Sequence, residues 1–309
     1  MNKNLKYILL LCALLSANKI LLAQQDAQFT QYMFNPLVLN PAYAGSREGV
    51  SGNMLYRDQW AAFDGAPVTQ TFSIHSPLRN NKVGLGFHVI NDQIGPVGTT
   101  GVNGSYAYRL KMGKGKLALG LRAGIFNYRF DWNKIEYKDK TDVFAAVLPT
   151  RRFMPTFDFG TYYYTGKFYL GAAVSHIDQA TYAKAATDGN YKIKLASHIV
   201  VTSGYAWVIN KKVTFKPSVV VKTLVNQIPT IDVNAAVLLD EKLWLGVGAR
   251  STNAAMIIAE YNLTKNFRFG YSYDISINEL RSVNKGSHEV FLGFDFEIYK
   301  TRTLSPRYF

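Results

Sequence analysis

The stretch NFRFGYSYDI, residues 266–275, alternates without a break. Phe267, Phe269, Tyr271, Tyr273 and Ile275 form one row, and Arg268, Gly270, Ser272 and Asp274 form the other. Successive side chains of a strand point to opposite faces, so this segment is a strand with one apolar side and one polar side. Outward from it, the same parity recurs along the chain. Leu117, Leu119, Leu121, Ala123 and Ile125 oppose Ala118, Gly120, Arg122 and Gly124; Val290, Leu292, Phe294, Phe296 and Ile298 oppose Glu289, Gly293, Asp295 and Glu297. Ile231, Val233, Ala235 and Val237 oppose Asp232 and Asn234, and Val213, Phe215, Val219 and Val221 oppose Lys212, Lys216 and Lys222.

About fourteen such segments follow one another, near 48–60, 67–77, 82–91, 98–110, 116–130, 152–165, 167–177, 190–208, 211–222, 229–239, 242–251, 253–262, 266–275 and 288–299. Most reach about 10 residues, the length a tilted strand needs to cross a bilayer, whereas strands of globular proteins average about 5 or 6. The connections sort by parity. After even segments they read PLRNNK, KMGKGK, TGK, INKK, LDEK and LTKN, all short. The three long connections, 131–151, 178–189 and 276–287, all follow odd segments. An outer-membrane barrel with both chain ends on the inner side makes every second turn short and periplasmic. The pattern therefore predicts an all-β fold, a transmembrane antiparallel up-and-down barrel spanning 48–299, with both termini periplasmic. A soluble sandwich or lipocalin-like barrel would turn the apolar rows inward instead. On the membrane reading Phe267, Phe269, Tyr271 and Tyr273 face lipid, Arg268, Ser272 and Asp274 face the lumen, and Tyr162, Tyr163 and Tyr164 beside TGK belong to an interfacial girdle.

The first residues fit an exported chain. Lys3 and Lys6 precede an apolar stretch, Tyr7 to Leu15, and Ala23 ends a small-residue cleavage site, so 1–23 reads as a signal peptide. Asn18 and Lys19 interrupt that stretch before it reaches the roughly 20 apolar residues of a membrane anchor. Cys12 is the one cysteine and lies in this leader, which leaves the remainder without disulfide or thiol chemistry. The whole chain has 35 basic and 21 acidic residues, and removing Lys3, Lys6 and Lys19 leaves a balance of +11. For an exported protein that charge points to anionic outer-membrane lipid or an acidic protein partner and away from nucleic acid. The 20 Tyr and 19 Phe are many for a soluble domain, and no Pro-rich, Ser-rich or low-complexity run marks a linker.

Catalytic and metal-binding patterns are missing. His75, His88, His176, His198 and His288 are scattered singly, with no His-Glu-x-x-His pair. The glycine pairs in GKGKLALG and GLGFHV are not phosphate loops, because Lys114 and Lys116 are not followed by Ser or Thr; they fit barrel-lumen positions. The carboxylates Asp158, Asp232, Glu260, Asp295 and Glu297 are expected to pair with Arg122, Lys216, Lys222, Arg250 and Arg268 in a polar interior. No motif sets a nucleophile beside a base, so neither an enzyme nor a cofactor is expected. The short turns carry Arg79, Lys82, Lys111, Lys114, Lys116, Lys167, Lys211, Lys212, Lys242 and Lys265 against Asp240 and Glu241. These suit contact with anionic head groups or docking onto an acidic periplasmic partner.

Residues 24–47 do not read as wall. QDAQFTQYMFNPLVLNPAYAGS, 25–46, is rich in Asn and Pro, and Pro36 and Pro41 each fix the backbone after an Asn. An ordered periplasmic arm or a lumen plug fits it better. This block closely resembles the start of the PorP/SprF family of outer-membrane proteins associated with type IX secretion and gliding motility. RDQWAAFDGAPVTQTFSIHSPL at 57–78 is similar to the family's next block, YDISINEL and GSHEVFLGF within 273–294 to its last hairpin, and SPRYF to its usual ending. The resemblance implies a non-enzymatic barrel that helps large cargo, in particular surface adhesins, to be secreted or held at the cell surface. It implies as partners the cargo's C-terminal domain and a periplasmic ring lipoprotein, and it leaves open a core secretion component or a dedicated adhesin anchor. On this basis Gln31, Tyr32, Met33, Phe34, Asn35, Pro36, Asn40, Pro41, Tyr43 and Gly45 are expected to serve an inner contact together with the basic turns. Trp60, Phe63, Gly65, Pro67, the 131–151 loop, Asn278, Arg281 and His288 are expected to serve an outer one. The tail, 300–309, runs past the last strand, unlike the usual barrel that ends on its closing aromatic. A channel for a small solute is the rival reading.

Overall fold

The computed structural model describes residues 27–47, 49–79, 81–131, 134, 151–179, 181–186, 189–224 and 227–296. The leader, most of the 131–151 loop and the 300–309 tail lie outside them. The wall strands are β1 (Val50–Asp58), β2 (Val68–Pro77), β3 (Val83–Ile94), β4 (Val97–Met112), β5 (Gly115–Phe130), β6 (Arg151–Tyr164) and β7 (Phe168–Ser175). A separate two-stranded hairpin follows, β8 (Thr181–Ala186) with β9 (Gly189–Lys194). The wall resumes with β10 (His198–Tyr205), its short continuation β11 (Trp207–Val208), β12 (Val213–Leu224), β13 (Thr230–Leu239), β14 (Leu243–Arg250), β15 (Ala254–Asn262), β16 (Phe267–Ser276) and β17 (Ser287–Phe296). Each wall strand pairs antiparallel with its neighbours, and β1 pairs with β17 from Val50 opposite Phe296 to Asp58 opposite His288, which closes the sheet. With β10 and β11 taken as one interrupted strand, the result is a closed fourteen-stranded barrel. Closure leaves no free first or last strand in the wall, the condition for strands to stand in lipid.

The segment expected as a single strand over 190–208 divides. Gly189–Lys194 belongs to the separate hairpin, and only from His198 does the chain join β7 and β12. A period-2 pattern registers strand but not which sheet the strand joins.

The parity of the connections carries over to the barrel. Residues 78–82, 113–114, 165–167, 209–212, 240–242 and 263–266 form one end, here the short-turn end. Among the described residues, the opposite, long-loop end holds 59–67, the β7–β10 crossing with its hairpin, and 277–286, beside tight turns at 95–96 and 251–253. Along β16, Phe267, Phe269 and Tyr271 are exposed while Gly270, Ser272 and Asp274 are buried, as the alternation predicts. The outward rows carry Leu85, Tyr106, Leu121, Ile125, Phe157, Val233, Val247, Ile257 and Leu292, an apolar belt that only lipid or another apolar phase would cover.

The interior holds the expected ion pairs, Arg122–Asp158, Arg250–Asp232 and Arg268–Glu260, and adds apolar contacts to the amino-terminal block. Leu55, Val200, Val220, Ala236, Leu238, Trp244, Ile258 and Phe291 point inward and pack around Phe29, Tyr32, Met33, Phe34 and Leu39. A second cluster joins Leu37, Ala42, Tyr43 and Ala44 to Ala107, Ala118, Tyr162, Tyr164 and Tyr169. Residues 27–47 occupy the lumen as a plug against which much of the inner face packs, while a cavity of about 350 Å³ lined by His88, Asp92, Arg122, Asp158, His176 and Lys222 remains in the long-loop half. Tyr162 and Tyr164 are therefore core residues and not girdle residues. They share the inward row with Asp158 and Gly160, and both are at most 2 % exposed.

Glycines on the inner wall make room for the plug. A Cβ at Gly84 would lie 2.1 Å from the Ala44 carbonyl oxygen, one at Gly120 would lie 2.2 Å from Ala42 N, and one at Gly160 would lie 2.1 Å from Asn40 Oδ1. These are backbone-to-wall approaches that no side chain allows. Gly84→Val or Gly120→Val is expected to unseat the plug and cost about 1–3 kcal/mol or more, read as a lowered thermal unfolding temperature in detergent. Gly104→Ala, where the nearest atom is 3.9 Å away, should leave that temperature unchanged.

Candidate functional site

The plug has little regular structure of its own, namely one helical turn at Pro36–Leu39 and one 3₁₀ turn at Pro41–Tyr43. Pro36 and Pro41 each open a turn, where a missing N–H costs nothing. Asn40 caps the second, its side chain accepting from Ala42 N. Internal bonds such as Phe34 N to Gln31 O and Asn40 N to Pro36 O satisfy only some of the backbone. A buried irregular segment must find its remaining partners elsewhere. Here they come from side chains of the wall.

Four arginines supply most of the donors. Arg250 Nη2 donates to the Phe29 carbonyl at 3.2 Å. Arg57 Nη1 donates to Thr30 Oγ1 at 2.9 Å. Arg122 donates to the carbonyls of Leu37 and Val38. Arg109 Nη1 donates to the Ala44 carbonyl at 2.8 Å. Carboxylates supply the acceptors. Glu289 accepts from Thr30 N at 2.9 Å and Gln31 N at 2.7 Å, and Asp274 accepts from Thr30 Oγ1 at 2.7 Å. The same charges pair across the wall, Arg57 with Asp274 (2.7 Å) and Glu289 (3.2 Å), Arg122 with Asp158 (2.9 Å) and Arg250 with Asp232 (2.9 Å). Each of these side chains is at most 4 % exposed. In such a setting a charge is tolerable only when paired and fully hydrogen-bonded.

Further contacts fix the two halves of the plug. Tyr32 Oη accepts from Asn234 Nδ2 at 2.9 Å. Phe34 packs against Trp244 and Phe291, with the Lys216 ammonium 5.6 Å from its ring centre and 5.5 Å from that of Trp244. Asn35 accepts from Ser73 Oγ, and Asn40 Nδ2 donates to the Thr161 carbonyl. Tyr43 meets His75 and Tyr162 edge-on. Gly45 takes a positive φ of 66° and donates its N–H to His75 Nδ1. At the short-turn mouth Arg47 pairs with Asp295 at 3.0 Å. Burial alone would lower the Arg47 pKa, but the Asp295 carboxylate, the Tyr43 hydroxyl and Glu260 together outweigh it and raise the value.

The residues expected to form an inner contact are thus held by the barrel. Gln31, Tyr32, Met33, Phe34, Asn35, Asn40, Pro41, Tyr43 and Gly45 are buried and Pro36 is half-buried. In this structure they present nothing to a partner. The basic residues Arg79, Lys82, Lys111, Lys114, Lys167, Lys211, Lys212, Lys242 and Lys265 are exposed around the short-turn end, with Lys116 half-buried.

At the long-loop end two of the three expected outer segments meet. Ala61 N donates to the Gly286 carbonyl (2.7 Å), Lys285 N to the Ala61 carbonyl (2.8 Å) and Trp60 N to Ser287 Oγ (3.1 Å). Trp60, Pro67 and Asn278 are half-exposed, while Phe63, Gly65 and Arg281 are exposed. Trp60 and Gly65 both take positive φ values, which marks a tightly bent loop. His288 is a correction. It lies in β17 on the outward row, its Nδ1 2.6 Å from Tyr271 Oη and its ring beside Tyr273, so it belongs to the wall and not to a loop.

Length, closure and the apolar belt make this a membrane barrel, and the plug block at its start is what sets it apart from an open pore. A family model described as type IX secretion system membrane protein PorP/SprF matches residues 21–294. The chain belongs to the PorP/SprF family. It is thereby an integral outer-membrane component of type IX secretion, and family and fold are consistent with a non-enzymatic role. A search of curated sequences finds no match. Among solved structures, the Ralstonia pickettii toluene transporter TbuX superposes with a TM-score of 0.51 at 12% identity, covering 84% of this chain and 92% of its own. The Acinetobacter baumannii outer membrane protein Omp33 gives 0.48 at 8%, covering 82% and 100%. At such identities the likeness concerns the barrel fold alone.

Sequence reading missed Arg57, Arg109, Thr30 and the Asp274–Glu289 pair as plug anchors. The available signal was a charged residue on the inward row of a strand. Arg57→Ala leaves Glu289 buried without its paired cation and Asp274 with only Arg250 at 3.7 Å, and is expected to destabilise the barrel by about 3–5 kcal/mol. Combining Arg57→Met with Asp274→Asn and Glu289→Gln should recover much of that loss, measured by thermal unfolding in detergent.

Proposed function

We propose that this PorP/SprF barrel is a plugged, non-conducting adaptor in type IX secretion that supports export or surface retention of a large cargo protein, an adhesin in particular. The observation that carries this reading is the lumen, which residues 27–47 cross from one mouth to the other, latched by buried arginines, beside a cavity of about 350 Å³ confined to its long-loop half. A barrel built to pass solute keeps a path through its interior. Here the inner glycines and Tyr162, Tyr164 and Trp244 are occupied in holding the plug.

With the plug lodged in the lumen, the two ends become the working surfaces. The short-turn end is assigned to the periplasm, because inner turns of such barrels are short. Its exposed lysines and Arg79 suit an acidic partner, proposed here as the periplasmic ring lipoprotein of the machinery, and the anionic head groups of the surrounding lipid. The long-loop end is assigned to the exterior, where Trp60, Phe63, Gly65, Pro67, Asn278 and Arg281 are proposed to meet the cargo's C-terminal domain. Arg and Trp dominate interface energetics, so Arg281 and Trp60 are the anchors of that contact. On this reading residues 1–23 are removed on export.

Two measurements test the proposal. Purified protein in planar bilayers should give no steady open state, and a robust conductance would return the chain to the channel class. Tagged protein drawn from outer membranes in mild detergent should retain a large exported protein or ring lipoproteins. Trp60→Ala with Arg281→Ala should release the exported protein while barrel levels stay normal. Retention unchanged by both substitutions would remove these loops from the contact.

A further inference from the structure

The plug has a direction. Phe29 is held by Arg250, the last residue of β14, and Thr30 is held by Arg57, Asp274 and Glu289, all within three residues of the long-loop ends of their strands. Leu37 and Val38 reach Arg122 midway along β5. Ala44 and Gly45 reach Arg109 and Gly84 near the short turns, and Arg47 closes on Asp295 just before β1 begins. The chain therefore crosses the barrel from the long-loop mouth at Ala27 to the short-turn mouth at Arg47. Gln28 lies in a small cleft with Gln59, Trp60, Asn253, Asn278 and Ser287, all from the long-loop end. The described chain accordingly ends at Phe296 on the short-turn side but starts on the other. The expectation that both termini lie on one side does not extend to this start.

We infer that the chain enters its own barrel from the long-loop side, so that its entry at Ala27 and Gln28 joins the face formed by loops 59–67 and 277–286. With cleavage after Ala23, three residues precede Ala27, and three residues span at most about 10 Å. A strand of ten residues such as β16 spans about 33 Å. Three residues would fall far short of the short-turn end. In the orientation proposed above, on which this last step rests, the entry at Ala27 and Gln28 faces the cell exterior, with Gln28 beside Trp60 and Asn278. The outward surface available to an exported polypeptide then has three parts, two loops and this entry segment.

Because Cys12 is the sole cysteine and lies in the leader, single cysteines report cleanly on this geometry. Ala27→Cys, Glu279→Cys in the long loop and Lys114→Cys in a short turn are compared for labelling by a membrane-impermeant maleimide on intact cells and after permeabilisation. Heat-modifiable gel migration checks that each barrel is folded. Ala27→Cys and Glu279→Cys are expected to label fully on intact cells, and Lys114→Cys only after permeabilisation. An epitope inserted directly before Ala27 and detected by antibody gives a second reading should the cysteine disturb the plug. Ala27→Cys labelling together with Lys114→Cys, or from neither side, would overturn the inference. Reversal of the Glu279 and Lys114 patterns would overturn the orientation instead, and the marker that Ala27 then accompanies would still decide the threading.

Discussion

The structure depends on one requirement, that the backbone of an irregular segment be satisfied where it is buried in the lumen. Residues 27–47 bury carbonyls that no helix or sheet ladder serves, and Arg57, Arg109, Arg122 and Arg250 reach from the wall to supply the missing donors or to anchor Thr30. Each guanidinium has several donors in a planar fork, so one side chain can hold a plug oxygen and a wall carboxylate together. Lysine, with a compact and strongly hydrated charge, does this poorly. That difference explains why the buried latches are arginines while lysines predominate on the exposed short turns.

The same requirement shapes the inner wall. An open porin lines its lumen with groups that face water, but here the inward rows mix charges with Phe291, Trp244, Ile258 and Val220. The barrel has two apolar surfaces, one turned to lipid and one turned to its own amino-terminal segment. Gly84 and Gly120 bring wall backbone against plug backbone, Gly160 brings it against the Asn40 side chain, and the tyrosines at 162, 164 and 169 fill the space beside them.

Much of this was legible in the sequence. Alternation such as Phe267, Phe269 and Tyr271 against Gly270, Ser272 and Asp274 gave the strands, the parity of turn lengths gave the closed barrel, and the Asn- and Pro-rich block stood out as something other than wall. The ion pairs Arg122–Asp158 and Arg250–Asp232 follow from the inward rows as soon as register is known. What period-2 reading does not contain is the partner of a face. It placed Tyr162 and Tyr164 in a girdle and left open whether the lumen is plugged, because nothing local reveals that residues more than a hundred positions earlier occupy the interior. It also merged Gly189–Lys194 with the strand from His198, since both alternate alike, and it left His288 in a loop, one residue past the start of β17.

The seam where β1 meets β17 carries a further consequence. Thr30 binds Glu289 and Asp274 across sequence separations of 259 and 244, and Arg57 on β1 binds the same two carboxylates from β17 and β16. One knot thus joins the beginning of the chain, its first strand and its last hairpin. Contacts this distant in sequence form late, because the loop they close must first lose its freedom. The knot is complete only when the sheet has become a cylinder. The seated plug is in that sense a receipt for closure, because a barrel missing its final hairpin lacks the acids that hold Thr30 and leaves its own lumen undone.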